Sequence, residues 1–136
     1  MKMRFLNNNY IMKEIKINSK NTKELLVEQK HSASSYGSGL VDVFSTPAMI
    51  ALMEQTCNEQ LLQFLDEDEV SVGIEVNVKH IKATPLGDKV KCMSEIIEVN
   101  KNKITFKVEA FDSKGKIGEG IHKRAVVKKE NFLKSL

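Results

Sequence analysis

Residues 44–65, FSTPAMIALMEQTCNEQLLQFL, decide how the rest of the chain is read. Ser45-Thr46-Pro47 has the character of a helix start. Hydroxyl side chains accept hydrogen bonds from the free amides of a first turn, and proline loses nothing there because its missing N–H has no partner in that turn anyway. Met49, Met53, Cys57, Leu61 and Leu65 then recur every four residues, and Ala48, Leu52 and Phe64 widen the row. This spacing predicts one long helix with a broad apolar face that another element must cover. Glu54 interrupts the apolar half. A carboxylate there is either a solvated edge residue or a functional group in a partly desolvated site.

Beyond the helix the period changes. Asp66-Glu67-Asp68-Glu69 is expected to end it in solvent, and four consecutive acids do not converge on one metal ion as alternating ligands do. Val72, Ile74, Val76 and Val78 then alternate with Glu75, Asn77 and Lys79, the pattern of a strand with one apolar face. The same parity puts His80 on that face unless a bulge intervenes. A turn at 83–88 leads to a strand at Lys89–Val99, and Asn100 to Asn102 turn the chain into Lys103–Phe111. Residues 112–115 connect to a last strand, Lys116–Lys128, and a short mobile tail, NFLKSL, is expected to follow.

Upstream of the helix, Thr22–Ser32 reads as a first strand with Leu25, Val27 and Gln29 on one face, although KELLVEQ holds equally good helix formers. SSYGSGL, residues 34–40, has five Ser/Gly in seven and is a loop able to bend sharply. Residues 1–20 mix Asn, Lys and short apolar pairs and are expected to be an extension holding at most a short edge strand, so the domain proper is residues 21–136. Strands joined by short turns must be antiparallel neighbours. The fold class is therefore α+β: an antiparallel sheet of about five strands wrapped around one long central helix, the arrangement called a hotdog. A single helix covers a single sheet face, which makes dimerisation through a sheet edge an expectation.

At 136 residues and 15.4 kDa the chain is long enough to bury a core without disulfides or metals. The net charge of +3 is uneven: residues 101–136 carry ten Lys/Arg against four Asp/Glu, a balance of +6, which leaves −3 on the first hundred residues. Such asymmetry suits an anionic partner, coenzyme A phosphates or nucleic acid, and solvated strand faces explain it equally well. The basic third lacks the interleaved aromatics of a nucleic-acid platform. Cys57 and Cys92 have neither CxxC nor secreted-disulfide spacing and are expected to be reduced core residues. No apolar run resembles a signal peptide or a membrane span, so a cytoplasmic location is expected. Three histidines without an HxH or HxxxH pair predict no zinc.

Thr46, Glu54 and His80 are the residues with chemistry to offer. Thr46 is either a helix cap or a reactive hydroxyl, and His80 either a hydrogen-bonded core residue or a base. Thr46 and Glu54 stand eight residues apart, about 12 Å of helix rise, so they do not touch within one straight helix. One reaction could use all three only if a strand-borne His80 and the substrate bridge them, or if two chains assemble the site.

The segments VFSTPAMIALMEQTC (43–57), VGIEVNVKHIKATPLGDKV (72–90) and GEGIHKRAVV (118–127) resemble the small hotdog thioesterases related to fluoroacetyl-CoA thioesterase, a resemblance covering roughly residues 25–130. It implies an acyl-CoA thioester hydrolase without metal or redox cofactor, with Thr46, Glu54 and His80 on the catalytic positions. It also puts Gly73 where a strand backbone approaches the thioester, and Arg124 near the site. On the residues alone, Gly73 is also explained by a bulge. Arg124 shares parity with Gly118, Gly120 and His122, and either pairs with Glu54, binds a CoA phosphate or is solvated. In the loop before the helix the fluoroacetyl-specific member uses aromatic residues as a lid; here only Tyr36 and Leu40 could cover a pocket, so fluorinated substrate is not implied. The alternative reading is a non-catalytic acyl-CoA binding or sensing domain.

Overall fold

The structure, a computed structural model, describes the backbone of residues 3–6 and 10–13 and the whole of residues 14–136. Two short strands, β1 (Met3–Leu6) and β2 (Tyr10–Lys13), pair antiparallel with each other and, among the described residues, with no other strand. The main sheet is antiparallel and runs in the order β3 (Lys20–Leu26), β5 (Lys89–Asn100), β6 (Lys103–Asp112), β7 (Gly115–Lys128), β4 (Glu69–His80). β5, β6 and β7 form the meander, while β3 and β4 close its two sides. Both β3 and β4 are therefore edges.

The sheet curls around α2, Thr46–Leu62, the long helix of the hotdog. Met49, Met53, Cys57 and Leu61, the predicted i, i+4 row, are all buried, together with Leu52 and Phe64. They pack on inward residues of the meander, among them Cys92, Ile96, Ile104, Phe106, Val108 and Ile117. The helix is shorter than the apolar pattern. Phe44 bridges to Ser32 in extended conformation, Ser45 is the N-cap, and the chain leaves the helix at Gln63, with Phe64 and Leu65 continuing the apolar contact in a turn. Ile15, ahead of β3, is already buried in this core.

Four local expectations change. The first strand ends at Leu26, and Gln29–His31 form a 3₁₀ turn rather than its continuation. Within the Ser/Gly loop, Ala33–Tyr36 make one helical turn (α1), capped by Ser32 and stopped by Gly37 at φ 68°, where a side chain would be strained. Glu69 is buried instead of solvated: it begins β4, and its carboxylate accepts the Asp66 N–H at 3.0 Å. The C-terminal tail is helical over Lys129–Lys134 (α3).

The change that matters most lies in β4. Its pairing with β7 slips between Gly73 and Glu75, so an extra residue inserts near Ile74. Ser71 and Gly73 face α2 before the slip, and Val78 and His80 face it after the slip. The expected unbroken face of Val72, Ile74, Val76 and Val78 is thus divided, and Ile74 and Val76 stand 47% and 42% exposed on the edge strand.

Candidate active site

The start of α2 meets the end of β4. Ser45 provides the cap, its Oγ accepting the Ala48 N–H at 3.1 Å, which leaves the neighbouring Thr46 hydroxyl without a capping duty. Thr46 Oγ1 instead lies 2.8 Å from His80 Nδ1. Phe44 packs its ring edge-on to the imidazole, with centroids 6.4 Å apart. His80 Nε2 is buried without a hydrogen-bond partner among the described residues. Burial lowers the His80 pKa, outweighing the opposing influence of the Lys82 backbone. A neutral imidazole against a hydroxyl is a base beside a potential nucleophile. The pair opens into a cavity of about 360 Å³ whose wall includes Ala33, Ser38, Val43, Phe44, Ile81 and Lys82.

Glu54 is elsewhere. Its Oε2 lies 3.8 Å from Nη1 of Arg124, over Gly73. A Cβ built on Gly73 would sit 2.7 Å from that oxygen and 3.3 Å from Cε1 of His122, so glycine is what lets the carboxylate lie against the strand. Gly73 borders the bulge, and its missing side chain leaves room for the Glu54 carboxylate. Arg124 is nearly buried, and its Nε and Nη2 donate to the hydroxyl and carbonyl of Ser71 at 2.8 and 3.1 Å. Burial pushes its pKa down while the Glu54 charge pushes it up.

The predicted residues thus fall into two groups: Thr46 with His80, and Glu54 with Gly73 and Arg124. Gly73 and His80 are seven steps apart along β4, at most about 23 Å at roughly 3.3 Å per residue. Tyr36 lines a different cavity, with Lys30, His31, Ala48, Leu52 and Gln55, and Leu40 is wholly exposed. Sequence reasoning gave no role to Ser71 and no partner to His122. The latter contacts Arg124 Nη1 at 3.1 Å and the Glu75 carbonyl at 2.8 Å and stacks on Phe106. Its position two residues from Arg124 on one strand was the available signal.

Cys57 and Cys92 are buried free thiols, both pushed up by burial, Cys92 to about 11, and neither is poised for nucleophilic chemistry. Among the described residues no group of three His, Cys, Asp or Glu could hold a metal ion, and no helix is long and apolar enough to cross a membrane.

Known proteins resemble the chain over the same elements. The fluoroacetyl-CoA thioesterase of Streptantibioticus cattleyicolor is 36% identical over 91 residues, 67% of this chain and 66% of that protein, so the match spans just under two thirds of the relative's length. A solved structure of the fluoroacetyl-CoA thioesterase FlK superposes with a TM-score of 0.84 at 28% identity, covering 90% of this chain and 95% of the other. A thioesterase superfamily member from Thermus thermophilus has the same fold, with TM-score 0.84 at 24% identity over 91% of this chain and 92% of its own. The family described as fluoroacetyl-CoA-specific thioesterase matches residues 27–130, from the end of β3 to the start of α3 and through both groups of site residues, and the chain belongs to that family.

Proposed function

We propose that the protein hydrolyses acyl-CoA thioesters to a carboxylate and free CoA, at a site combining Thr46 and His80 of one chain with Glu54 of a second copy. The observation that carries this reading is the 2.8 Å contact between the Thr46 hydroxyl and His80 Nδ1, in a loop-to-helix junction where Ser45 has taken over the capping role. With the imidazole proton on Nε2, Nδ1 accepts the Thr46 proton as Oγ1 attacks the thioester carbonyl. The C–S bond breaks, His80 returns the proton to the departing thiolate, and an acyl-Thr46 ester remains. A water molecule then attacks that ester while giving a proton to the Glu54 carboxylate, and Glu54 passes this proton to the departing Thr46 oxygen, which restores the hydroxyl and releases the acid. Gly73 lets the acyl group approach the strand backbone, and Arg124 faces Glu54 with a fixed positive charge. No metal or redox cofactor takes part in this scheme.

Glu54 cannot reach His80 of its own chain, so the scheme requires a homodimer. β4 is a free edge with exposed Ile74 and Val76, the place where a second copy pairs most simply. A fluorinated acyl group is not part of this reading, because only Tyr36 and Leu40 of the loop before α2 could cover a pocket. A cytoplasmic location belongs to the same reading, since a reducing compartment suits the free thiols of Cys57 and Cys92.

A thiol-release screen over short, medium, branched and aromatic acyl-CoAs tests the activity. Binding of acyl-CoA without release of CoA would instead establish a sensing domain. Rapid quenching followed by mass spectrometry is expected to find an acyl adduct on Thr46; turnover without one would reduce its hydroxyl to positioning water.

A further inference from the structure

His122 is the buried histidine that the scheme above leaves unused. An arginine side chain has only donors, so the 3.1 Å contact between Arg124 Nη1 and His122 Nε2 requires an unprotonated Nε2. The ring proton is then on Nδ1, where it donates to the Glu75 carbonyl at 2.8 Å. Stacking on Phe106, with centroids 6.3 Å apart and planes at 27°, holds the ring against rotation. Burial, the largest influence, and the Arg124 charge both disfavour a second proton, against the Glu75 carbonyl and the Glu54 charge.

The guanidinium is consequently gripped on three sides. Ser71 holds Nε and Nη2, and Ser71 is itself anchored by donating its hydroxyl to Asn58 Oδ1 at 2.8 Å, one turn beyond Glu54 on α2. One Nη1 hydrogen goes to His122, and the other is the one left for Glu54, 3.8 Å away. We propose that His122 is a positioning residue: its Nε2 lone pair aims the Arg124 guanidinium at Glu54 and so fixes where that carboxylate sits. Orientation at this level is worth much in rate, since displacement of a reacting group by about 1 Å costs on the order of a hundredfold. The inference rests on the reading that Glu54 takes part in hydrolysis.

Three variants of the full chain, assayed for steady-state CoA release, separate the two claims. His122→Phe preserves the stacking on Phe106 and removes both nitrogens. It is expected to lower kcat about tenfold with KM within about twofold. His122→Gln offers an amide oxygen to Arg124 and an amide N–H to the Glu75 carbonyl, and is expected to recover most of that loss. A positioning role is supported by this pattern at an unchanged melting temperature. It is overturned if His122→Phe turns over like wild type while Glu54→Gln does not, or if His122→Gln is as impaired as His122→Phe. An active Glu54→Gln enzyme would sink the Glu54 reading instead. Nitrogen-15 NMR of the wild-type histidines provides a check that does not depend on activity: His122 must be the Nδ1–H tautomer, and an Nε2–H signal overturns the proposal even if His122→Phe fails to fold.

Discussion

At the scale of single residues, two adjacent hydroxyls divide two tasks. Ser45 stabilises the helix start by capping, while Thr46 turns to His80. Replacing each by alanine should therefore give opposite phenotypes. Ser45→Ala is expected to cost about 1 kcal/mol of stability, read from urea denaturation. Thr46→Ala should leave stability within about 0.5 kcal/mol and lower kcat by at least about a hundredfold in the CoA-release assay. The pH dependence follows from His80. Burial holds its pKa below the ordinary 6.5, so the imidazole is already neutral at neutral pH. Activity that needs the neutral base falls only as pH drops through that lowered value, giving kcat/KM a plateau across pH 7 and an acid limb below 6.5. Stability moves in the same direction. The unfolded chain binds the histidine proton more readily than the folded chain, so the contribution is complete above 6.5 and declines as pH falls towards the folded-state value.

At the scale of elements, the close approach of α2 to β7 depends on Gly118. A Cβ there would lie 2.5 Å from Met49 Sδ and 3.0 Å from the Lys79 carbonyl oxygen. The sulfur is on a flexible side chain and can move, but the carbonyl is part of the β4 ladder, so Gly118→Ala should cost roughly 1–3 kcal/mol, again measured by urea denaturation. Spacing alone made α2 legible, because every fourth residue from Met49 to Leu61 is apolar and every one of them is buried. The meander was equally plain from alternation and turn residues. The bulge in β4 was not. Val72, Ile74, Val76 and Val78 are all apolar on both sides of the slip, so inserting a residue leaves no mark on the pattern. The choice between Ser45 and Thr46 as cap was hidden for a similar reason, since two neighbouring hydroxyls satisfy the same local rule. Nor could spacing along the chain divide Thr46 and His80 from Glu54 and Arg124, because that division arises only when helix and strand are laid against each other.

At the scale of the whole molecule, the divided site and the free β4 edge support one another. Ser71 and Gly73 face the helix on one side of the bulge and His80 does so on the other, although the residues differ in parity. On the proposed reading, an antiparallel pairing of two β4 edges about a two-fold axis at Asn77, with the bulge taking up one residue, sets His80 opposite the Gly73–Ile74 bulge of the partner subunit, at the roughly 5 Å spacing of paired strands. Glu54, lying over Gly73, is then brought from one copy towards Thr46 and His80 of the other. Two equivalent sites result. Disrupting this edge should therefore abolish activity without touching a catalytic group. Val76 is 42% exposed in the single chain, so a lysine there is tolerated by the isolated fold, whereas one residue from the axis it is laid against Val78 of the partner subunit and its charge loses water without gaining a partner. Val76→Lys is expected to sediment as a folded monomer with native circular dichroism and to lose at least about a hundredfold in kcat/KM, the scale expected when an acid–base group is withdrawn. Mixing two inactive variants, Thr46→Ala and Glu54→Gln, sharpens the test. A mixed dimer has one site lacking both groups and one site lacking neither, so a freely exchanging equimolar mixture should regain about a quarter of wild-type activity, half its dimers being mixed and half of their sites intact. A site built within one chain would regain none.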